Sequence, residues 1–360
     1  FFGLAIMLGY RYRIAIIVYT ILWAGAYFMQ KSSYNNHYYL LLLISFLLIF
    51  LPANKYASLD VKQNRISEEN TMPYWINLLF IIQIAIVYVF ASLAKFYPDW
   101  LDGTFTKNLL SGTTSRPFFL ELFSQKWFYL FIAYAGILFD LLIVPFLLFK
   151  KTRTLALIAS VIFHIFNSIT LQIGIFPFFA LTFALFFYEP ETIRRLFLRK
   201  KPKLEDENLS QNLYGKRIVY FLMIPYLIIQ IALPLRHHFI EGDVLWTEEG
   251  HRLSWRMMLR ERNGYITIQI KDLKTGSVSI YNYRKNLTNK QAQNLATKPD
   301  FIWQYCQRIK EEYKGKPIAI YIDCKNSINR KEYKSLIDPN YDMAKAEWNY
   351  FAHNEWILLY

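Results

Sequence analysis

The sequence predicts a multi-pass α-helical transmembrane bundle of about eight spans, followed by an extracytoplasmic α+β domain. Hydrophobic residues make up 54% of the 360 residues and aromatic residues 18%. Apolar runs recur through the first two-thirds of the chain, several of them close to the roughly 18–20 residues that cross a bilayer. After residue 235, alternating and amphipathic patterns replace these runs. We therefore expect a membrane domain over residues 1–235 and a second domain over residues 236–360.

The apolar runs locate the candidate spans. They are residues 1–10, 14–29, 38–51, 74–94, 127–149, 155–171, 175–188 and 218–235. The chain opens inside an apolar stretch, so we expect further N-terminal sequence and a truncated first span. Some runs are short for a bilayer, which favours tilted helices or a partly re-entrant course.

Basic residues fix the orientation of these spans. The net charge of +14 is concentrated in short loops between apolar runs, so we expect a lipid bilayer as the partner and no nucleic acid. The groups are Arg11 and Arg13; Lys55, Lys62 and Arg65; Lys150, Lys151 and Arg153; and Arg194, Arg195, Arg199, Lys200, Lys201, Lys203, Lys216 and Arg217. Counting spans places all four groups on one side, which should be cytoplasmic. Everything after residue 236 then lies on the non-cytoplasmic side.

The region after the last span has the pattern of a small α+β domain. Residues 265–270, 277–283 and 317–322 alternate like strands. Residues 289–313 have helical spacing, interrupted at Pro299, which suits the first turn of a new helix. Cys306 and Cys324 lack metal-ligand spacing and are compatible with a disulfide or with two free thiols.

Lys95 lies where an apolar run gives way to the stretch AKFYPDWLDG. A lysine near the end of a membrane helix often extends its ammonium to the lipid headgroups. Alternatively, the apolar neighbours desolvate Lys95, which favours the neutral amine and lets it act as a base near neutral pH. The residues around Lys95 leave both interpretations open.

Three further ionisable residues lie within or at the ends of candidate spans, where such residues are costly and often functional. His37 opens the third span and His164 lies deep in the sixth; each is compatible with a structural or a functional role. Asp140 lies in the middle of the fifth span, where we expect structural pairing. By the predicted topology, Lys95, His37 and His164 converge on a pocket toward the non-cytoplasmic side, which suits proton abstraction from a lipophilic molecule.

Residues 233–260 leave the last span and are dense in histidine, arginine, tryptophan and acidic residues. As a juxtamembrane segment, this stretch would use Trp246 and Trp255 as interfacial anchors. As a substrate-binding rim, it would use its cations to receive an anionic group. The sequence contains no HExxH, CxxC pair, P-loop, GxGxxG or GxSxG motif, so we expect no metal, nucleotide or hydrolase site.

Five separated motifs resemble the vitamin K-dependent γ-glutamyl carboxylases and their bacterial relatives, which share the HTTM membrane region. The motifs are YNNHYYL (34–40), SLAKFYPDWLDG (92–103), ILFDLL (137–142), FHIFNSITLQIGIFPFF (163–179) and LPLRHHFIEGDVLWTEEGHRLSWRMML (233–259). They occur in the family order and cover most of residues 34–259. Each motif is weak alone, but five in register are specific.

The resemblance implies a lyase-class membrane carboxylase. It would oxygenate vitamin K hydroquinone, of the phylloquinone or menaquinone type, to the epoxide with O2, and use CO2 to convert a glutamate of a peptide or protein to γ-carboxyglutamate. Lys95 would deprotonate the hydroquinone, His37 would assist there beside Asn36, and His164 would serve the carboxylation half. The candidates for binding the substrate glutamate are Trp246, His251, Arg252, Trp255 and Arg256. A water-poor site would protect the reactive base and the carbanion from quenching.

The resemblance is to the bacterial type. Animal carboxylases have a longer C-terminal region and are less basic around residues 250–256, so we do not expect propeptide-directed carboxylation of clotting-type substrates. One alternative is a quinol epoxidase without carboxylase activity. Another is a non-enzymatic transport or lipid-binding protein that uses the polar pocket for recognition, although the sequence shows no inverted repeat of the kind transporters have.

Overall fold

The computed structural model describes residues 1–29, 31–113, 117–171, 176–200 and 217–360. The predicted cytoplasmic placement of Lys201, Lys203 and Lys216 falls outside these residues, as does the connection between the candidate spans 155–171 and 175–188. The chain divides into two compact units. The first unit comprises Phe1–Met29, Asn35–Leu93 and Ala135–Ile231, and the second comprises Gln30–Tyr34, Ala94–Tyr134 and Ala232–Tyr360.

Helices account for most of the first unit and part of the second. In chain order they are α1 (Phe2–Leu8), α2 (Tyr12–Phe28), α3 (Asn36–Phe50), α4 (Leu59–Lys62), α5 (Tyr74–Leu93), α6 (Pro98–Leu101), α7 (Thr104–Ser111), α8 (Pro117–Ser124), α9 (Lys126–Leu148), α10 (Arg153–Leu171), α11 (Phe176–Thr182), α12 (Pro190–Phe197), α13 (Ile224–Leu235), α14 (Val244–Thr247), α15 (Asn289–Leu295) and α16 (Pro299–Glu312). Short 3-10 helices cover Lys31–Ser33, Phe183–Phe187, Arg236–Phe239 and Tyr283–Asn286, and a π-helical turn covers Val219–Met223.

Four helical segments in the described part of the chain are long and apolar enough to cross a membrane. They are Tyr74–Leu93, Lys126–Leu148, Arg153–Thr170 and Val219–Phe239. Shorter apolar helices cover Tyr12–Phe28, Asn36–Phe50 and Phe176–Phe187. Each predicted apolar run overlaps a helix, so the helical membrane region is confirmed. The number of eight crossings stays a prediction.

The α1–α2 connection is built by a glycine and a buried carboxylate. Gly9 ends α1 at φ +62°, and a Cβ there would lie 2.4 Å from the Cβ of Ser58, so only glycine fits. The carboxylate of Asp60 accepts hydrogen bonds from the backbone N–H groups of Arg11 (2.8 Å) and Tyr12 (3.0 Å). This buried acid therefore holds the start of α2 in place.

Two buried pairs of polar side chains tie α13 to its neighbours in the first unit. The hydroxyl of Tyr226 donates to Oε1 of Gln83 on α5 at 2.5 Å. One turn further along α13, Nε2 of Gln230 donates to the hydroxyl of Tyr39 on α3 at 3.0 Å. A polar side chain inside an apolar bundle is costly unless it is hydrogen-bonded, so these pairs favour one packing arrangement of the three helices.

The second unit contains an antiparallel sheet with strand order β2-β1-β3-β4. The strands are β1 (Arg262–Asp272), β2 (Val278–Ile280), β3 (Ile318–Ile328) and β4 (Lys334–Ser335). The predicted strands at 265–270 and 317–322 are confirmed, and both are longer than predicted, because β1 and β3 pair along their whole length. The strand predicted at 277–283 is shorter, since the exposed edge strand β2 ends where the chain turns into a 3-10 helix. The small sheet domain after the helical region is confirmed.

The core of the second unit lies between this sheet and two helices. Ile266, Ile268 and Ile270 alternate along β1 and are all buried. They share a core with Ile302 and Ile309 of α16. Pro299 occupies the first turn of α16, where its missing N–H costs nothing. The predicted break between two helical pieces is therefore confirmed.

Cys306 and Cys324 lie in this core as free thiols. Cys306 is on α16 and Cys324 on β3, and both are buried. Burial raises the pKa of both thiols, that of Cys324 to about 12. Because the thiolate is the reactive form of cysteine, both side chains act as core packing groups.

Candidate active site

His37 lies in the first turn of α3. The side chain of Asn35 accepts a hydrogen bond from the backbone N–H of His37 at 2.7 Å and so caps the helix. The imidazole of His37 stacks on the ring of Phe176, with 3.6 Å between ring centroids and 9° between planes. Asn36, the predicted partner of His37, is also buried. The start of α3 thus presents an imidazole against a flat aromatic surface.

His164 lies on α10 and is 3% exposed. Its Nε2 is 3.1 Å from the hydroxyl of Tyr88 on α5. Its ring meets Phe139 edge-on at 5.8 Å and Phe176 at 6.2 Å between centroids. Because both imidazoles pack on Phe176, the structure brings His37 and His164 together. We call His37, Tyr88, Phe139, His164 and Phe176 the ring cluster.

Asp140 lies on α9 next to Phe139 and is 7% exposed. Phe139 stacks on Phe163 of α10 at 3.8 Å between centroids. The acidic side chain is thus buried where α9 packs on α10. The structural role predicted for Asp140 stays a prediction.

Lys95 belongs to the second unit, immediately after α5, and is 7% exposed. Its Nζ lies 5.4 Å from the ring centroid of Trp100. Trp100 is held in place because its indole N–H donates to the backbone carbonyl of Ala133 at 3.0 Å and its ring stacks on Phe105. The preceding residue, Ala94, packs with buried apolar side chains. Lys95 is therefore a buried amine that lies over an aromatic ring. Its side chain does not extend from the surface of the second unit.

The acid nearest to Lys95 in sequence has its own partners. Asp99 accepts hydrogen bonds from Nδ2 of Asn329 at 2.8 Å and from Nζ of Lys331 at 2.7 Å. Tyr97, between Lys95 and Asp99, has a buried phenol. Burial raises the pKa of Tyr97, so this phenol stays protonated at neutral pH. Asp99 is therefore engaged in joining α6 to the end of β3.

The stretch after α14 forms a second charged site, which we call the cationic cluster (Glu248, His251, Arg256, Arg260 and Arg262). Glu248 accepts a hydrogen bond from Arg260 and a second from Nη1 of Arg262 at 3.2 Å. Burial alone would raise the pKa of Glu248, but the charges of Arg260 and Arg262 outweigh burial and hold that pKa far below its ordinary value. Glu248 is therefore a carboxylate at any physiological pH.

Positive charge exceeds negative charge in the cationic cluster at neutral pH. Burial, with help from the neighbouring arginines, lowers the pKa of His251 to about 3, so its imidazole is neutral. Burial also lowers the pKa of Arg256 and of Arg262 to about 10, which leaves both protonated. Three arginines against one carboxylate give a net charge of 3 − 1 = +2. Such a site attracts an anionic group.

The cluster also contains buried donors that no described residue satisfies. They are Nε of Arg260, Nη2 of Arg262 and, depending on its tautomer, Nδ1 of His251. Leaving a buried donor unpaired costs roughly 1–3 kcal/mol. Together with the excess of positive charge, these atoms indicate a place for an acceptor.

The other predicted substrate residues are held by the protein itself. Arg252 donates to both carboxylate oxygens of Asp300 and to the backbone carbonyl of Lys31. Trp246 lies in the sheet-domain core, and its indole N–H donates to the carbonyl of Leu358 at 2.7 Å. Trp255 is fully buried. Their substrate contacts stay predictions.

Gly250 allows the cluster to approach the preceding segment. Its φ is +74°, and a Cβ there would lie 2.7 Å from Cβ and 2.9 Å from Cα of His237. A side chain would therefore meet both conformational strain and a backbone clash at this position.

Lys31 is a half-buried lysine that no sequence motif singles out. Its Nζ lies 5.1 Å from the ring centroid of Trp303, 5.3 Å from Trp348 and 5.4 Å from Tyr350. It is also 3.9 Å from Oδ2 of Asp300. Aromatic faces and a carboxylate are the groups that hold a desolvated ammonium. We call Trp303, Trp348 and Tyr350 the Lys31 box.

Sequence reasoning also missed Phe176, Tyr88 and the three residues that complete the cationic cluster, Glu248, Arg260 and Arg262. Phe176 and Glu248 lie inside the motifs described above, whereas Arg260 and Arg262 follow the end of the last motif at residue 259. Tyr88 lies in an apolar run, where its hydroxyl was the only local sign of a polar partner.

Comparison with protein families finds two matches that follow one another along the chain. A family model described as HTTM domain matches residues 1–191, and one described as Vitamin K-dependent gamma-carboxylase, lumenal domain, matches residues 215–360. No solved structure matches the chain. The lumenal-domain match agrees with the basic loops in placing the C-terminal domain on the non-cytoplasmic side of the membrane. Since the first match covers more than half of the chain and the second follows it in order, the chain belongs to the vitamin K-dependent γ-glutamyl carboxylase family.

Proposed function

We propose that this membrane protein oxygenates vitamin K hydroquinone to its epoxide and couples that reaction to γ-carboxylation of glutamate in a peptide or protein. The observation that carries the proposal is the buried Lys95, whose amine faces the ring of Trp100 beside apolar packing. In this proposal the amine of Lys95 accepts the proton of a quinol hydroxyl, and its burial keeps bulk water away from the reacting groups.

The ring cluster fits a planar lipophilic quinol. His37 and His164 supply imidazole nitrogens, and Phe176 supplies a flat face between them. Bound vitamin K hydroquinone would supply, on reaction with O2, a base strong enough to remove the γ-proton of glutamate. The imidazoles would orient the quinol hydroxyls, while Phe139 and Phe176 exclude water that would quench such a base.

The cationic cluster supports the glutamate half of the reaction. Its net charge of +2 at neutral pH and its unsatisfied Arg260 and Arg262 donors suit a substrate carboxylate. Glu248 keeps the arginines in place through hydrogen bonds. In this proposal the cluster binds and orients the substrate, and CO2 adds to the γ-carbon after proton removal.

The test follows both products in parallel. Purified full chain in detergent would be given vitamin K hydroquinone, O2, bicarbonate with labelled carbon and a short glutamate peptide. We expect epoxide and labelled γ-carboxyglutamate from the wild type, and the loss of both in Lys95→Ala and Lys95→Arg, since neither variant has an amine that can act as a base. Lys107→Ala, at an exposed lysine of α7, is the matched control and should keep both activities.

Two results would revise the proposal. Epoxide without labelled product across several glutamate peptides would make the protein a quinol epoxidase. Absence of both products, with wild type and Lys95→Ala alike, would overturn the enzymatic function and favour a binding or transport role.

A further inference from the structure

A cavity of about 650 Å³ lies within the first unit, at the opposite ends of α3 and α5 from the ring cluster. Its walls include Ile44 and Leu48 of α3 and Phe80 of α5. At ~1.5 Å per residue, Leu48 lies ~16 Å along α3 from His37. The cavity is therefore separate from the candidate active site, and what it binds does not depend on the proposed function.

The interior of the cavity is apolar. Ile44, Leu48, Phe80, Leu185 and Phe186 line it. Two polar side chains beside these walls have protein partners: Asn77 donates its amide N–H to the carbonyl of Phe186 at 2.9 Å, and Thr182 donates its hydroxyl to the carbonyl of Phe179 at 2.7 Å. An interior of this kind receives a hydrocarbon chain and not a polar group.

The polar and charged groups lie at the mouth. Lys55, Glu69 and Arg194 line it, and Nζ of Lys55 donates to Glu69 at 2.6 Å. An ammonium has three donors, and among the described residues Glu69 takes one of those of Lys55. The mouth can therefore add an anionic acceptor at Lys55 without breaking this pair.

Two segments beside the mouth add an excess of positive charge. The guanidinium of Arg153 lies 5.4 Å from the ring of Tyr188, which lines the mouth. Residues 150–153 and 189–200 carry seven basic residues against two acidic ones, an excess of 7 − 2 = 5. The basic residues are Lys150, Lys151, Arg153, Arg194, Arg195, Arg199 and Lys200, and the acidic residues are Glu189 and Glu191.

These observations select one class of ligand. An apolar interior, a basic mouth and a position at the cytoplasmic ends of membrane helices are the features of a lipid headgroup site. We propose that the cavity binds a phospholipid with a net negative headgroup, with one acyl chain between Ile44, Leu48 and Phe80 and the phosphate at Lys55 and the basic segments.

The test measures lipid binding to the full chain. Protein stripped of co-purified lipid in detergent would be titrated with palmitoyl-oleoyl phosphatidylglycerol, or with phosphatidylcholine of the same chains, and bound lipid counted by native mass spectrometry. We expect phosphatidylglycerol to bind at least about tenfold more tightly, since the basic residues at the mouth attract its net negative headgroup and not the zwitterionic headgroup of phosphatidylcholine. Lys55→Gln should reduce this preference and leave phosphatidylcholine binding unchanged.

Cavity-filling variants distinguish lipid bound in this cavity from lipid bound elsewhere on the protein surface. Leu48→Trp fills the cavity and should weaken phosphatidylglycerol binding about tenfold or more, whereas Phe46→Trp, at an exposed position of the same helix, should not. Leu185→Trp, at an exposed lining position, replaces Leu48→Trp if that variant does not fold. Equal binding of the two lipids would overturn the anionic ligand, and equal binding by cavity-filling and control variants would overturn the site.

Discussion

The ring cluster and the cationic cluster both contain titratable side chains away from solvent, but the groups that surround those side chains differ. In the ring cluster, aromatic faces surround His37 and His164, and the hydroxyl of Tyr88 is the hydrogen-bond partner of His164. In the cationic cluster, Glu248 lies among arginines and fixes them by ion pairs. The first arrangement suits an uncharged planar ligand, and the second suits a carboxylate. The comparison teaches that a single chain can prepare two chemically different sites, one by excluding charge and one by concentrating it.

Among the variants that test this comparison, Arg260→Met in the cationic cluster should have the largest effect on stability. The change removes one of the two arginines that pair with Glu248. Removing one partner of a buried ion pair costs about 3–5 kcal/mol of folding free energy. We expect a large fall in the midpoint of thermal unfolding and loss of glutamate carboxylation. Adding Glu248→Gln should recover much of the stability but not the carboxylation. Full stability in Arg260→Met alone would contradict the pairing.

Gly250→Ala should have the next largest effect on stability. It places a side chain at positive φ, which costs roughly 1–2 kcal/mol, and also against the backbone of His237. Gly276→Ala is the matched control, because Gly276 has φ +73° and nothing within 4 Å. The unfolding midpoint should fall clearly further for Gly250→Ala. Equal shifts for the two variants would mean that the contact with His237 relaxes.

The pH dependence of stability sharpens the contrast further. The folded-state pKa of His251 is lowered to about 3, whereas an unfolded histidine titrates near 6.5. Between these values the unfolded chain binds the proton, so this residue makes stability fall as the pH drops below about 6.5, by up to ~1.4 kcal/mol per pH unit. His251→Gln should flatten the pH profile of the unfolding midpoint relative to His238→Gln, at an exposed histidine. A profile with the wild-type slope would contradict a buried neutral His251.

Tyr88→Phe should have the smallest effect. It removes the hydroxyl that lies 3.1 Å from His164 and keeps the ring. One hydrogen bond contributes about 1 kcal/mol, so we expect a modest loss of stability and a severalfold loss of epoxide formation. Epoxide formation should fall more than the affinity for the glutamate peptide, since Tyr88 belongs to the ring cluster. An equal loss of epoxide formation and of peptide affinity would argue against separate roles for the ring cluster and the cationic cluster.

Much of the fold could be predicted from sequence because its signals are local. The apolar runs overlap the membrane-type helices, and Pro299 marks the start of α16. The ends of β1 and β3 could not be predicted, because polar residues 323–327 are held in β3 by pairing with a distant strand. Likewise, the stacking of His37 on Phe176 depends on how α3 and α11 pack, and neither residue's neighbours in sequence reveal it.

The candidate site was predicted unevenly for the same reason. Motifs drew attention to His251, Arg252 and Arg256, but not to the acids that hold the arginines. Glu248 pairs with Arg260, and Asp300, 48 residues beyond Arg252, pairs with that arginine. A resemblance of motifs indicates which residues belong to a site, whereas charge balance needs the three-dimensional partners.

The Lys31 box has a consequence for protein engineering. In sequence, residues 30–34 look like an ordinary connection between two helices, where a tag or a fluorescent protein would normally be inserted. In the structure, Lys31 lies over three aromatic rings and faces Asp300, so an insertion there would disrupt contacts with Trp303 and Trp348, which pack against the core of the second unit. The turn at residues 273–277 is exposed throughout, and it is the better place for an epitope or a fusion partner on the non-cytoplasmic side.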